Sequence, residues 1–187
     1  VSDDDYIDTQ GFRANVGIIL MRADGRLFLG GRAGARGWQF PQGGIRRGEP
    51  AEEALYRELE EEVGLAAADV EEVGRTRGWL RYRLPPHFRR RNSTPVCVGQ
   101  KQRWFLLRLV SPESRLRFDA TDQPAEFDRW RWAEYWDPVR EVIYFKRGVY
   151  ARALEELGAY AFPDGLPPYP DWWDQRMSRH ARPRQDA

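Results

Sequence analysis

The chain has 187 residues, 41% hydrophobic and 13% aromatic, enough apolar material for one sizeable globular core. No run approaches the roughly 18 uninterrupted apolar residues of a membrane span, and the acidic opening VSDDDYIDTQ lacks the basic-then-apolar pattern of a secretion leader, so a cytoplasmic protein is expected. A net charge of +1 argues against a nonspecific grip on nucleic acid along the chain, and a single cysteine, Cys97, excludes an internal disulfide and a cysteine-rich zinc knot.

In chain order, residues 16–21 (VGIILM) read as a buried strand, followed by the turn ADG and then RLFLGGR, an early hairpin. WQFPQGG reads as a short strand ending in a Pro/Gly loop. A helix is expected over residues 50–63. Pro50 suits its first position, Glu52 and Glu53 complement its positive end, and Gly64 stops it. Further strands are expected in VEEVGRTRGWLRYRL, KQRWFLLRLV and FDRWRWAE, and a second helix in KRGVYARALEELGAY. From Pro163 onward Pro, Asp and Arg dominate, which reads as a mobile tail able to dock through Trp172 and Trp173.

The helix over residues 50–63 carries Glu58, Glu60, Glu61 and Glu62 within little more than one turn. Projected at about 100° per residue, Ala51, Ala54, Leu55, Leu59 and Val63 form one apolar arc. Glu62 falls near its middle, Glu58 at its edge and Glu61 just beyond, whereas Glu53 and Glu60 point away. A solvated acidic face would segregate its charges from the leucines. Three carboxylates at i, i+3 and i+4 on the buried side repel one another by several kcal/mol, on the scale of about 4 kcal/mol per close pair at an effective dielectric of 20. A divalent cation reverses that sign. All-oxygen ligands select a hard ion, and Mg²⁺ binds a few carboxylates while sharing its remaining positions with water and substrate phosphates. Arg57 can pair with Glu61 at i+4.

These residues fit the pattern G-x5-E-x7-R-E-U-x-E-E-x-G-U, U being bulky and apolar, through Gly43, Glu49, Arg57, Glu58, Leu59, Glu61, Glu62, Gly64 and Leu65. A chance match at one start is on the order of 10⁻⁹. The pattern resembles the signature of Nudix hydrolases. GFRANVG, GWQFPQGG, WLRY, PVCVGQKQRWFLL, EFDRWRW and FKRGVY extend the resemblance to the RNA 5′-pyrophosphohydrolase branch of that family, also described as dinucleoside polyphosphate hydrolases. One departure is Ala14, where the family segment usually has proline.

The resemblance implies an α/β fold, a Nudix α/β/α sandwich around a mixed central sheet. The domain would span residues 10–162, after an N-terminal extension of residues 1–9 and before a tail of residues 163–187. It also implies Mg²⁺-dependent attack by water on the 5′-triphosphate of RNA, with Mn²⁺ able to stand in for Mg²⁺. Pyrophosphate would leave and a 5′-monophosphate remain, which promotes decay of the transcript. By family pattern Glu58, Glu61 and Glu62 are metal ligands, Glu58 or Glu62 helps deprotonate water, and the Gly43 carbonyl is a further ligand. Arg57 belongs with the catalytic set. Glu49 secures the loop before the helix. Glu126 matches a second-site acid that binds another Mg²⁺ or acts as general base.

Arg13, Arg32 and Lys146 are candidate phosphate and nucleotide contacts, and Tyr82 and Phe145 candidate stacking surfaces for bases. Lys101 is equally open to a structural or a functional role, and the run RRRN over residues 89–92 reads as a solvated loop with some capacity to guide an RNA backbone. The expected partner is 5′-triphosphorylated RNA or a dinucleoside polyphosphate, with neither membrane nor DNA. A regulator that binds nucleotide or RNA without hydrolysing it is the alternative from a different functional class, and the intact pattern argues against it.

Overall fold

Ten consecutive residues of strand β1 (Phe12–Met21) are buried with one half-buried exception, because β1 runs through the middle of a sheet covered on both faces. The computed structural model describes residues 6–34, 36–89, 96–118 and 125–174. Residues 90–92 of the RRRN run and residues 175–187 of the expected tail lie outside them. After β1 come β2 (Leu27–Arg32), β3 (Trp38–Gln39), β4 (Gln42–Gly44), helix α1 (Ala51–Val63), β5 (Val70–Arg75), β6 (Leu80–Arg83), β7 (Gly99–Leu109), β8 (Phe127–Ala133), the short α2 (Asp137–Glu141) and α3 (Arg147–Ala161).

The strands form one eight-stranded sheet among the described residues. It is mixed: β1 and β7 run parallel from Phe12↔Gly99 to Met21↔Arg108, and the other pairings are antiparallel. Alternation along β1 splits its side chains between two cores. Ala14, Val16, Ile18 and Leu20 meet Leu55, Leu59 and Val63 of α1, while Ile19 and Met21 join Tyr150, Leu154 and Leu157 of α3. The expected α/β/α sandwich around a mixed sheet is therefore the observed fold. Each fully buried leucine in these layers contributes about 1.5–3 kcal/mol of transfer free energy. No helix among the described residues is long and apolar enough to cross a membrane.

The early hairpin differs from expectation. Its turn closes, with Arg22 N–H donating to Arg26 O at 2.9 Å, yet β1 and β2 pair only at Met21↔Leu27. Beyond that point β2 turns to β8, and the gap receives the WQFPQGG segment, which crosses from β2 to β1. The segment is consequently two strands, broken at Phe40 and Pro41: β3 pairs with β2, and β4 pairs with β1 through Val16↔Gly43. Phe40 anchors the crossing. It is fully buried, its N–H donates to the Tyr150 hydroxyl at 3.0 Å rather than to a strand, and its ring stacks on Tyr150 at 4.8 Å.

Two other elements settle open points. Lys101 pairs with Asp8 at 2.9 Å and lies about 5 Å from the Tyr6 and Trp79 rings, fastening the segment before β1 to the sheet. Trp172 and Trp173 pack against the α3-side core, where Trp173 and Tyr169 sit on Trp136. Cys97 is a buried free thiol.

Candidate active site

Helix α1 begins at Ala51, with Pro50 as its N-cap residue, and ends at Gly64, whose φ of 70° is the left-handed conformation that glycine adopts without strain. Its N–H donates to Glu60 O at 3.0 Å. Burial of Ala54, Leu55, Leu59 and Val63 turns the acidic residues as projected, with Glu60 exposed and Glu61 half-buried. Glu58, at the edge of the projected arc, is more covered than Glu62.

Arg57 organises the base of the cluster. Its Nε and Nη2 reach the two carboxylate oxygens of Glu49 at 2.8 and 3.0 Å, Nη2 also donates to Gly44 O at 2.8 Å, and Nη1 donates to Glu58 Oε1 at 2.6 Å. The expected i+4 pair with Glu61 is present at 3.6 Å but is the longest of these contacts. Glu49 thus secures the loop: it holds Arg57 on one side and accepts the Arg46 N–H at 2.8 Å on the other, and the paired guanidinium holds its carboxyl below the usual range.

Strand β4 lies against this helix so closely that a Cβ on Gly43 would sit 1.7 Å from the Glu58 carboxyl carbon. The absent side chain therefore brings bare backbone to the carboxylate. The neighbouring Gln42 N–H donates to Glu62 Oε2 at 2.9 Å. Burial pushes the Glu62 carboxyl well above its ordinary value, and the charge of Glu58 pushes it further. Glu58 is raised as well, chiefly by burial, with Arg57 opposing.

The side chain of Gln42 joins this acidic half to a basic one. Its Oε1 accepts from Lys146 Nζ at 3.2 Å and from Gln102 Nε2 at 3.3 Å, and Gln102 also donates to Asn15 Oδ1 at 2.7 Å. Lys146 is 8% exposed, and desolvation lowers its ammonium to about 8. Glu126 stands immediately before β8, accepts from Gln39 Nε2 at 3.1 Å and lies 3.5 Å from Arg32 Nε. The Arg32 side chain is 54% exposed, at the rim.

Arg13, on β1, is half-buried, and its charge acts on both Glu58 and Tyr82. Tyr82 is 7% exposed and donates its hydroxyl to Gln100 Oε1 at 2.7 Å. Its ring lies 5.8 Å from the half-buried Phe145, so Phe145 is the more open of the two candidate stacking rings.

A family model described as the NUDIX domain matches residues 11–160. The chain belongs to the NUDIX family. It is 60% identical over 181 residues to a protein of Alkalilimnicola ehrlichii named RNA pyrophosphohydrolase, covering 97% of this chain and 95% of that one. A protein of the same name from Thioalkalivibrio sulfidiphilus is 60% identical over 161 residues, covering 86% of this chain and 92% of the relative. Among solved structures, a C. elegans Ap4A hydrolase in a binary complex superposes with a TM-score of 0.57 at 18% identity, covering 80% of this chain and 98% of that one, a likeness of fold.

Within this NUDIX domain the structure brings together Gly43, Arg57, Glu58, Glu61 and Glu62 from β4 and α1. Across Gln42 and Gln39 it sets Lys146, Glu126 and Arg32 beside them. Among the described residues no three acidic, histidine or cysteine side chains already converge in coordinating geometry. Glu58 leans on Arg57 and Glu62 on the Gln42 N–H instead. Gln42, Gln39, Gln102 and Asn15 escaped the sequence reading. Neutral amides carry no charge pattern, and their contacts join residues up to 104 positions apart in the chain.

Proposed function

We propose that this NUDIX domain, over residues 10–162, is an RNA 5′-pyrophosphohydrolase acting in the cytoplasm. It breaks the anhydride between the α and β phosphorus atoms of a 5′-triphosphate, releasing pyrophosphate and leaving a monophosphate end that hastens transcript decay. The observation that carries the reading is the junction at Gln42. Its N–H holds Glu62 and its side chain holds Lys146, so a carboxylate cluster and a buried ammonium face one another across one residue. A polyphosphate needs both: cations for its oxygens, and a base for the attacking water.

The donor set fits a hard dication. Burial and mutual repulsion raise Glu58 and Glu62, which is the electrostatic deficit that a divalent ion offsets, and Gly43 leaves a backbone carbonyl approachable beside Glu58. Glu58, Glu61, Glu62 and the Gly43 carbonyl would hold Mg²⁺, or Mn²⁺ in its place, with Glu126 available to a second ion. When bound, such an ion neutralises phosphate oxygens and lowers the pKa of coordinated water.

Glu58 or Glu62 accepts the water proton, and Glu126 is the remaining candidate base. Arg57 is the positioning residue: by gripping Glu49, Gly44 O and Glu58 it fixes the carboxylates against the loop. Lys146 and Arg32 bind phosphate oxygens, Arg13 adds positive charge from β1, and Phe145, supported by Tyr82, offers a face to a base. The names of the close relatives support RNA as the substrate. The test is pyrophosphate release from 5′-triphosphorylated RNA with and without Mg²⁺, beside turnover of diadenosine polyphosphates. A strong preference for the dinucleotide replaces the RNA reading, and binding without hydrolysis of either replaces the enzyme reading.

A further inference from the structure

The segment that crosses from β3 to β4 touches three groups of the site. Gln39 donates to Glu126, and Gln42 holds Glu62 through its N–H and Lys146 through its side chain. Between them, Pro41 has no N–H to give, and its carbonyl accepts the Ile18 N–H at 2.9 Å. The Phe40 N–H donates to the Tyr150 hydroxyl at 3.0 Å. Glu126 on one side, and Glu62 and Lys146 on the other, are thus spaced by a segment whose middle is tied to α3.

Tyr150 has little freedom to move. It is fully buried, its ring stacks on Phe40 at 4.8 Å and it meets Trp104 edge-on at 5.2 Å. Trp104 in turn packs over Gly17, where an added Cβ would fall 2.5 Å from the indole, and Gly17 is the β1 partner of Gln42. Burial pushes the Tyr150 phenol up and the charge of Glu62 pushes it the same way, so the hydroxyl stays protonated within electrostatic reach of that carboxylate. Tyr150 also follows Lys146 by about one helical turn. The opening of α3 therefore grips the crossing segment twice, Lys146 at the Gln42 side chain and Tyr150 at the Phe40 backbone.

We propose that Tyr150 is a positioning residue of the active site: its hydroxyl fixes residues 39–42 and so holds the Gln42 N–H where Glu62 meets it. The proposal rests on the reading of Glu62 as an acid of the site. Packing accounts for an aromatic ring at residue 150, since a phenyl ring fills the same space, but not for the oxygen. Without the oxygen the Phe40 N–H is left buried and unpaired, a state that folded backbone avoids. The crossing segment then shifts toward another acceptor, and Gln42 moves with it. Lys146 keeps its own place at the start of α3, so phosphate binding outlasts the change while Glu62 loses its anchor.

The experiment compares Tyr150→Phe with the parent by amide hydrogen exchange in EDTA and by steady-state kinetics on triphosphorylated RNA in Mg²⁺. Exchange at the Phe40 and Gln42 amides should rise by about tenfold, while the β2 amides paired to β8 keep the parent's rates. In the same variant kcat should fall by about tenfold with KM within about twofold of the parent. Leu157→Ala, which thins the core on α3 away from the crossing segment, should lower the melting temperature and leave kcat at the parent's value. Parental kcat in Tyr150→Phe, an equal fall in both variants, or exchange that rises evenly along the chain overturns the proposal. So does a Phe40 amide that exchanges freely in the parent, a measurement that needs no variant. Failure of the parent to hydrolyse either triphosphorylated RNA or dinucleotide would instead remove the functional reading, and a rise in exchange confined to Phe40 and Gln42 would still support the hold of Tyr150 on that segment.

Discussion

The Glu58 carboxyl occupies the space that a side chain at residue 43 would need: a Cβ on Gly43 would fall 1.7 Å from its carboxyl carbon. Neither group has room to yield freely, because Arg57 holds Glu58 Oε1 at 2.6 Å and β4 is paired to β1 through Val16↔Gly43. Gly43→Ala is therefore expected to swing the carboxylate off Arg57 rather than unfold the domain. Turnover should fall by about 100-fold or more, the scale of misplacing a catalytic group by about 1 Å. Steady-state kinetics and a thermal melt check this, and full activity in the variant would contradict the close approach.

Glu62 is a half-buried acid whose ionised form the fold disfavours. Its folded pKa lies above the unfolded value of about 4.3. Below that value both states hold the proton and no penalty exists. As pH rises the unfolded chain releases its proton first, so stability falls through the folded pKa. Glu62→Gln should thus melt higher than the parent at pH 7 in the presence of EDTA, with a gap that shrinks toward zero near pH 4. Mg²⁺ should narrow the gap at pH 7 by stabilising only the parent. The variant should hydrolyse no substrate. A gap of equal size at both pH values would refute the electrostatic account.

Lys146 is lowered to about 8 by desolvation, so its ammonium is lost within the working range of an enzyme. For phosphate binding the charged form is required, and kcat/KM should decline above about pH 8. Lys146→Arg keeps its charge across that range and should flatten the decline, whereas Lys146→Met should be low throughout. A pH profile of kcat/KM for the three proteins is the measurement. An unaltered alkaline limb in the arginine variant would assign that limb to another group.

Arg57 makes contacts that one ammonium cannot reproduce, to two oxygens of Glu49, to Glu58 and to Gly44 O. Arg57→Lys is expected to cost about 2 kcal/mol of stability, since it leaves a mostly buried carboxylate pair short of donors. Turnover should fall by more than KM rises, because the residue orders the acids rather than the substrate. Urea unfolding together with kinetics separates the two effects.

Part of this site was legible in the residues alone. Glu58, Glu61 and Glu62 share a side of α1 because helical spacing is a local property, and the limits of α1 follow from Pro50 and Gly64 acting on their own neighbours. Strand positions were legible for the same reason. Strand partners were not. The ADG turn forms, but β1 gives its length to β7 and β4, and β2 gives its own to β8. Alternation marks which residues face a core without stating which strand lies beside which. The same limit hid the Gln42 junction, whose members come from separate elements.

By itself, then, the sequence determined an amphipathic helix with three inward acids and a glycine-bearing loop ahead of it, because torsion preferences and residue spacing act over a few positions. Only the tertiary structure decided that β4 would wedge beside β1, that Gly43 would meet Glu58, and that Lys146, Glu126 and Arg32 would face that helix from the other side. Those meetings depend on burying two apolar sheet faces at once, a condition that belongs to the whole chain.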